Sequence, residues 1–224
     1  MYIPIKALLL YFLLLATAGC KDTVQTQHVE NRTVVPDSLP DVLREDVPPP
    51  QYDYDTLNLE GALVNGHRIV LPQKAFEKIY GTLDSAKTDL WECGSPFGYL
   101  DAAWMAKTYG SYDTLKGDYK TFDGYFTTLF THKASFASNG HIVLFDKANA
   151  NGNIFSLPAA HIVLDKNTTI ESFERAFPKP KRELMEGPQH FRYRLPIGAQ
   201  MEDAFLFEFR KGWLYSFWLW WLLC

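Results

Sequence analysis

The sequence is poor in cysteine and nearly balanced in charge: it has three cysteines in 224 residues and a formal net charge of −4. Three cysteines are too few for a disulfide-dense miniature scaffold and for most zinc-ribbon arrangements. Because the chain has no excess of Lys and Arg, we expect no nucleic-acid partner. It does have apolar and aromatic residues, 47% and 15% of the chain, which are enough for a folded core.

The common catalytic motifs are also missing. The sequence contains no glycine-rich phosphate loop, no Gly-x-Ser-x-Gly and no His-Glu-x-x-His. His67, His141 and His161 lie at or near the starts of predicted strands, but no His-x-His or His-x-x-x-His pair gives them the spacing of a zinc site. We therefore predict no catalytic residue, no metal and no cofactor, and we interpret these histidines as bonded to the backbone.

The N-terminus is typical of a secretory signal peptide, which we place at residues 1–19. Lys6 provides the positive charge, residues 7–15 are an apolar run, and small residues lead to Cys20. The run is too short to span a bilayer, which takes about 20 apolar residues. A buried N-terminal helix is the alternative.

Residues 17–20 (TAGC) resemble the lipobox of bacterial lipoproteins, in the looser form of Bacteroidota, and residues 21–22 are similar to the surface-export signal of that phylum. The resemblance implies that Cys20 becomes the acylated first residue of the mature chain. It also implies a lipid anchor in the outer membrane, on its periplasmic side or on the cell surface. Each buried methylene contributes about 0.8 kcal/mol, so several acyl chains hold a protein without a spanning helix.

A polar, proline-rich stretch follows, in which no helical or strand period persists. Residues 48–50 are consecutive prolines, which favour polyproline II and a semi-rigid spacer. We therefore predict a stalk over residues 20–56, beginning at the lipidated cysteine, and a globular body over residues 57–224.

Two strand–helix units mark the body. In the first, residues 65–66 (Asn-Gly) predict a tight hairpin turn, and an apolar stripe predicts a short helix over 72–81. In the second, residues 161–164 form a predicted strand, and Thr168 with Glu171 forms a predicted capping box for a second short helix.

Residues 76–80 (FEKIY) and 173–177 (FERAF) match in type, which suggests a tandem repeat with halves 57–150 and 151–224. Two unrelated strand–helix junctions are the alternative. The rest of the body has the pattern of strands, over residues 122–130, 133–138, 141–145, 191–195, 204–209 and 213–220. Runs of strands with two separated helices predict an α+β fold, an antiparallel sheet with both helices packed on one face.

The C-terminal tail, residues 213–224, is rich in tryptophan and too short for a transmembrane helix. One interpretation is a central strand that is buried on both faces. The alternative is that every second aromatic side chain faces a partner or the membrane surface, because exposed aromatic patches mark interaction sites.

Two stretches resemble bacterial modules. Residues 64–72 (VNGHRIVLP), with the helix that follows, resemble a small bacterial domain of unknown function. Residues 205–214 (FLFEFRKGWL) are similar to the closing hairpin of outer-membrane-assembly lipoprotein (SmpA/OmlA) and β-lactamase-inhibitor-protein modules. Those modules place a helical segment before an antiparallel sheet, sometimes in tandem. The resemblance implies binding to a protein partner and transfers no catalytic residue.

Cys93 and Cys224 remain after lipidation, and outside the cytoplasm an even pair predicts one disulfide. Two separate buried thiols are the alternative. A nucleophilic Cys93 is a further hypothesis, although nothing local identifies its histidine. The remaining catalytic candidate is an acidic cluster, which a solvated face also explains: Asp84, Asp89, Glu92 and Asp101.

The leading hypothesis is a membrane-anchored envelope lipoprotein whose body binds another protein. The alternatives are an envelope hydrolase that uses Cys93 or the acidic cluster, and an immunity protein that neutralises a toxin. A flat or concave sheet face with exposed Trp and Tyr favours binding. A deep pocket that gathers a histidine and a carboxylate favours the hydrolase.

The lipobox prediction is tested by acyl labelling. Cells supplied with a labelled fatty acid are expected to label the wild-type protein, because the Cys20 thiol carries an acyl chain. Cys20→Ser removes that thiol and is expected to abolish both the label and sedimentation with membranes. A labelled Cys20→Ser protein, or an unprocessed wild-type chain that is soluble inside cells, contradicts the prediction.

Overall fold

The computed structural model describes residues 49–92, 94–199 and 202–222, which form four α-helices, fifteen strands and two short 3₁₀ helices. The helices are α1 (Gln73–Tyr80), α2 (Phe97–Leu100), α3 (Ala102–Tyr109) and α4 (Ile170–Ala176). The strands are β1 (Leu63–Val64), β2 (His67–Arg68), β3 (Val70–Pro72), β4 (Ser85–Leu90), β5 (Tyr112–Asp113), β6 (Asp118–Tyr119), β7 (Tyr125–Thr131), β8 (Ala134–Ser138), β9 (Ile142–Asn149), β10 (Phe155–Leu157), β11 (Ile162–Leu164), β12 (Arg182–Leu184), β13 (His190–Pro196), β14 (Ala204–Arg210) and β15 (Trp213–Trp220). Among these residues we find no helix with both the length and the apolar character that a membrane crossing requires.

Two antiparallel sheets carry the fold. The large sheet has the strand order β12-β13-β14-β15-β9-β8-β7-β4, and β3 pairs with the first residues of β9. The small sheet has the order β11-β10-β1-β2, and β5 pairs with β6 alone. Antiparallel sheets combined with short helices confirm the predicted α+β class.

The two candidate halves of the body have matching parts. Residues 57–150 contain the hairpin β1–β2, helix α1 and the meander β4-β7-β8-β9; residues 151–224 contain β10–β11, α4 and β12-β13-β14-β15. The halves meet at equivalent strands in both sheets, since β1 pairs with β10 and β9 pairs with β15. A register shift interrupts the last hairpin of each meander. A duplicated helix-plus-meander unit produces this arrangement, so the topology favours the tandem interpretation.

Both predicted helices lie on the same face of the large sheet, as expected. Phe76 of α1 packs on Phe136 of β8 with ring centroids 4.9 Å apart, and Phe173 of α4 packs on Phe207 of β14 at 5.1 Å. Phe155 of the small sheet packs on this face as well, 5.2 Å from Phe207. We call this side of the large sheet the core face and the opposite side the outer face.

An insertion distinguishes the first half from the second. Residues 91–124 join the first two meander strands of the first half and contain α2, α3, β5 and β6, whereas residues 185–189 join the corresponding strands of the second half. Helices α2 and α3 were not predicted from the sequence. Helix α2 spans a single turn, and helix α3 has no clear apolar stripe in the sequence of residues 102–109.

The insertion covers the outer face of the first half. Leu129 pairs with core-facing Phe136, so Phe126, three residues away on the same strand, lies on the outer face. Trp91 at the start of the insertion stacks on Phe126, with ring centroids 3.8 Å apart. Leu144, which lies beside core-facing Phe145 and therefore on the outer face, is only 1% exposed.

The turn and helix end predicted for the first strand–helix unit are confirmed, whereas the capping box predicted for the second unit is displaced by one residue. The turn at residues 65–66 has positive φ at both positions, and α1 ends at Gly81, as predicted. Helix α4 has its capping box one residue later than predicted: Thr169 Oγ1 accepts from Ser172 N at 3.1 Å, and Ser172 Oγ accepts from Thr169 N at 3.0 Å. Thr168 Oγ1 instead accepts from the backbone N–H of Asp165.

The predicted features outside the described residues are the signal peptide, most of the stalk, Cys20, Cys93 and Cys224. The end of the predicted stalk is described and contacts the body. The backbone N–H of Tyr52 donates to the carbonyl of Ala176 at 2.7 Å, and its ring lies 5.8 Å from that of Phe177. These contacts attach residues 49–56 to the C-terminal end of α4.

A pair of asparagines joins three turns. The turn between β7 and β8 has positive φ at His132 and Lys133, which is unfavourable for side chains other than Gly or Asn. Asn153 Nδ2, 1% exposed as a residue, donates to the carbonyls of His132 and Asn149 at 3.0 and 2.9 Å. Its Oδ1 accepts from Asn65 Nδ2 at 2.8 Å. One buried amide therefore connects the β1–β2, β7–β8 and β9–β10 turns.

Asn153→Ala is expected to lower the free energy of unfolding by about 2 kcal/mol, because it removes the hydrogen bonds that this buried side chain makes to the carbonyls of His132 and Asn149 and to the Asn65 amide. Urea unfolding measures the change. The control is Asn151→Ala, an exposed position in the same turn, which is expected to stay within about 0.5 kcal/mol of wild type. Equal effects of the two substitutions contradict this role for Asn153.

Candidate functional site

Alternation along β14 and β15 sends every second side chain to the outer face. Phe207 and Phe217 pair across the core face and are fully buried, whereas Leu206 pairs with Trp218 on the outer face. The tail is therefore a central strand, as one interpretation predicted, but its burial on both faces is wrong. Trp218 and Trp220 are half-buried on the outer side, which is the placement that the alternative predicted.

The pairing register places an apolar pair between two cations. Arg194 on β13 pairs with Leu206, Leu206 with Trp218, and Trp218 with Lys147 on β9. The four side chains therefore form one row across four strands. Leu206 is 3% exposed, although it lies on the outer face, between the larger side chains of Arg194 and Trp218.

Three cations of this region lie over aromatic rings. Lys147 Nζ is 4.7 Å from the ring centroid of Trp218, and the guanidinium carbon of Arg194 is 4.6 Å from that of Trp220. The guanidinium carbon of Arg210 is 3.8 Å from the ring centroid of Tyr215. Each contact contributes about 0.5–1 kcal/mol at an exposed site and holds a long side chain in place. We call this set the aromatic face; it comprises Lys147, Arg194, Arg210, Tyr215, Trp218 and Trp220.

A buried carboxylate supports one end of the aromatic face. Glu208, 6% exposed, accepts from His190 Nε2 and Arg210 Nε at 2.7 Å each and from Ser216 Oγ at 2.7 Å. Burial alone would raise the pKa of Glu208, but the donors from Ser216, Arg210 and His190 outweigh it and hold the pKa below its ordinary value. The ionised carboxylate thus holds the guanidinium of Arg210 against the ring of Tyr215.

A second histidine–carboxylate pair lies near the insertion. His141 Nδ1 is 2.8 Å from Asp101 Oδ2, which also accepts from Asn139 Nδ2 at 3.0 Å, and the His141 ring stacks parallel to Trp104 at 5.0 Å. The prediction that His141 bonds to the backbone is therefore wrong. Its Nδ1 faces a carboxylate because α3 places Asp101 beside the β8–β9 turn.

The structure does not gather the predicted acidic cluster into a catalytic pair. Asp89 binds Lys87 Nζ and Thr128 Oγ1, each at 3.0 Å, whereas Asp101 binds Asn139 and His141. Among the described residues, no group of three or more His, Cys, Asp and Glu side chains has the arrangement of a metal site.

Two of the cavities in the described part of the chain are shallow, and neither of them is lined by a histidine. One, about 240 Å³, lies between the N-terminal segment and β12–β13 and is lined by Asp55, Lys179, Pro180, Lys181, Glu183, Arg194, Leu195 and Pro196. The other, about 480 Å³, is lined by residues 52–58 and by Ile197. The first cavity touches the aromatic face at Arg194.

The aromatic tail was predicted from the sequence, but the cations that lie over its rings were not. One signal for these cations was present in the sequence: Arg192 and Arg194 alternate with aromatic and apolar residues in the predicted strand 191–195, which places both arginines on one face of the sheet. Their position beside the tail depends on β13–β14 pairing, and that of Lys147 depends on β9–β15 pairing between the two halves. Sequence periodicity does not specify either register.

Comparison of this chain with protein-family models, with curated proteins and with solved structures finds no match.

Glu208→Gln is expected to lower the free energy of unfolding at neutral pH by about 1–3 kcal/mol, because hydrogen bonds to a buried charge are lost. The ordinary glutamate pKa is 4.5, and a lowered folded pKa means that the carboxylate stabilises the fold above that value. This contribution disappears as the pH falls through the folded pKa. The variant should therefore lose less stability than wild type on acidification.

Urea unfolding at neutral pH and at about pH 3 measures this difference. Glu183→Gln is the matched control, because Glu183 forms a more exposed pair with Arg192, and its effect is expected to be below about 1 kcal/mol. Parallel pH profiles of wild type and Glu208→Gln would exclude the assigned role of Glu208.

Proposed function

We propose that this protein is an envelope lipoprotein, anchored through Cys20, whose body binds another protein through the aromatic face. The main observation that supports this proposal is a row of four side chains on the outer face of the large sheet: Arg194, Leu206, Trp218 and Lys147. In this proposal the lipid holds the chain at a membrane, the stalk joins the lipid to the body, and the outer face of the large sheet contacts the partner protein.

The residue types of the aromatic face support protein binding. Trp, Tyr and Arg are the residues enriched among those that contribute most to protein–protein affinity. Here Tyr215 is 40% exposed, and Trp213 at the same hairpin is 50% exposed. Rings held by stacked cations and by strand pairing lose little conformational freedom on binding, which lowers the entropic cost of association.

The asymmetry between the halves supports the same proposal. The insertion 91–124 covers the outer face of the first half, through contacts such as Trp91 on Phe126. The second half has only the short loop 185–189 at the corresponding place. On its outer face Tyr215 is exposed and Trp218 and Trp220 are half-buried, whereas Leu206 and Glu208 beside them are buried. A duplicated sheet with one covered and one open half provides a rigid platform.

The shape of the described surface supports binding more than hydrolysis. Neither described cavity brings a histidine beside a carboxylate, and the two histidine–carboxylate pairs lie outside both cavities. Toxin immunity would be one particular case of protein binding.

The proposal is tested by capture from envelopes with the mature chain carrying Cys20→Ser as bait. A specific partner is expected to bind, and Trp218→Ala with Trp220→Ala is expected to weaken its binding about thirtyfold or more, as for central aromatic anchors. The control is Val163→Ala with Leu184→Ala, two exposed apolar side chains away from the aromatic face.

Circular dichroism and urea unfolding of each bait establish that the variants are folded. Tyr215→Ala, at a more exposed position, is a milder variant that should also weaken binding. A partner that binds the Trp variants and wild type equally well would refute the assigned face.

A further inference from the structure

The aromatic face retains cations that no described carboxylate neutralises. Arg192 is paired with Glu183, with Nη2 to Oε2 at 2.6 Å, and Arg210 is paired with Glu208 at the same distance. Among the described residues, Lys147 and Arg194 form no ion pair with a carboxylate.

The acid closest to Lys147 in sequence forms no ion pair with it. Asp146 accepts from Ser135 Oγ at 2.6 Å, and burial raises its pKa, although the hydrogen bond from Ser135 and the nearby charge of Lys147 both act to lower it. Arg194 donates from Nη2 to the carbonyl of Glu202, which carries no net charge. The positive charges of Lys147 and Arg194 are therefore available to a ligand.

The two available charges have a defined separation. Lys147 and Arg194 stand in one row on β9 and β13, three strand spacings apart, which corresponds to about 14 Å between their backbones. Trp218 and Leu206 lie between them. The arrangement is an apolar centre with one cation on each side.

The cavity beyond Arg194 is lined by charges of both signs. Lys179 and Lys181 line this cavity of about 240 Å³ together with Arg194, and so do the carboxylates of Asp55 and Glu183. Lys179 Nζ lies 3.5 Å from Asp55 Oδ1, and Glu183 is paired with Arg192, whereas Lys181 forms no ion pair among the described residues. One further cation, Lys181, therefore lies near the end of the row, although the whole chain is acidic, with a net charge of −4.

Building on the proposed function, we infer that the partner presents an acidic protein surface, whose carboxylates meet Lys147 and Arg194 on either side of an apolar contact with Trp218. Charge complementarity selects this partner, because like charges across an interface are costly and opposite charges accelerate association. The planar guanidinium of Arg194 suits a carboxylate, which it can bind through two hydrogen bonds. The partly buried ring of Trp218, between the cations, suits a packed protein contact in which water is excluded from the centre.

The test uses a displayed library of random peptides, selected on the mature chain carrying Cys20→Ser. Wild type is expected to enrich peptides with Asp or Glu flanking an apolar residue. Lys147→Glu with Arg194→Glu should bind those peptides about tenfold or more weakly and should select basic peptides instead. The matched control is Lys74→Glu with Lys166→Glu, which makes the same change in net charge at exposed positions outside the aromatic face.

The outcomes separate this inference from the proposed function. Enriched peptides that are neutral or basic, or a control variant that weakens binding as much as the test variant, overturn the acidic partner. If such peptides still require Trp218, the proposed binding face stands. If no peptide is enriched, or if enriched peptides bind Trp218→Ala unchanged, both proposals fail.

Two further measurements exclude other occupants. Sedimentation with phosphatidylglycerol vesicles that depends on Lys147 and Arg194, without peptide binding, would assign the face to an anionic membrane. A dimer that dissociates on Lys147→Glu with Arg194→Glu would assign it to a second copy of this chain. The inference expects neither result.

Discussion

The pairing of β9 with β15 is the contact on which the rest of this structure depends. Each half of the body ends its meander on one of these strands, and their antiparallel pairing at Phe217 and Ala148 converts two four-stranded units into one sheet. Side chains alternate between sheet faces with a period of two, so this register decides which residues of both halves enter the core. It places Phe145 and Phe217 on the core face and Lys147 and Trp218 together on the outer face.

The insertion then makes the two halves unequal. A sheet with apolar residues on both faces has to cover both, and the first half does so with α2, α3 and the segment around them. The second half instead has large side chains of its own on the outer face. Trp218, Trp220 and Tyr215 lie on β15, on the side where Leu206, Ser216 and Glu208 are buried. Lys147, Arg194 and Arg210 lie over the rings. Such a surface is stable in water and retains aromatic area and positive charge for a partner. This combination links the fold to the proposed role of a tethered binding module.

Local signals in the sequence were sufficient for much of the architecture. The Asn-Gly turn at 65–66, the helices that became α1 and α4, and the final hairpin were predicted, because turn chemistry and apolar periodicity act over a few residues. The similarity of residues 76–80 and 173–177 suggested a tandem repeat, and the matching meanders favour that interpretation. Features with weak local signals were missed: α2 is a single turn, α3 lacks an apolar stripe, and the capping box of α4 starts at Thr169 because Thr168 is bonded to Asp165.

The sequence by itself determined the α+β class, the positions of most strands and the aromatic character of the tail, since these follow from composition and short-range periodicity. It also supplied the lipobox resemblance on which the proposed anchor rests. Only the tertiary structure decided that the tail lies at the centre of the sheet with one face buried, that His141 faces Asp101, and that cations from β9, β13 and β14 lie over its rings. The reason is physical: strand register is set by contacts between residues far apart in the chain, and a shift of one residue would exchange the core and outer faces of every side chain.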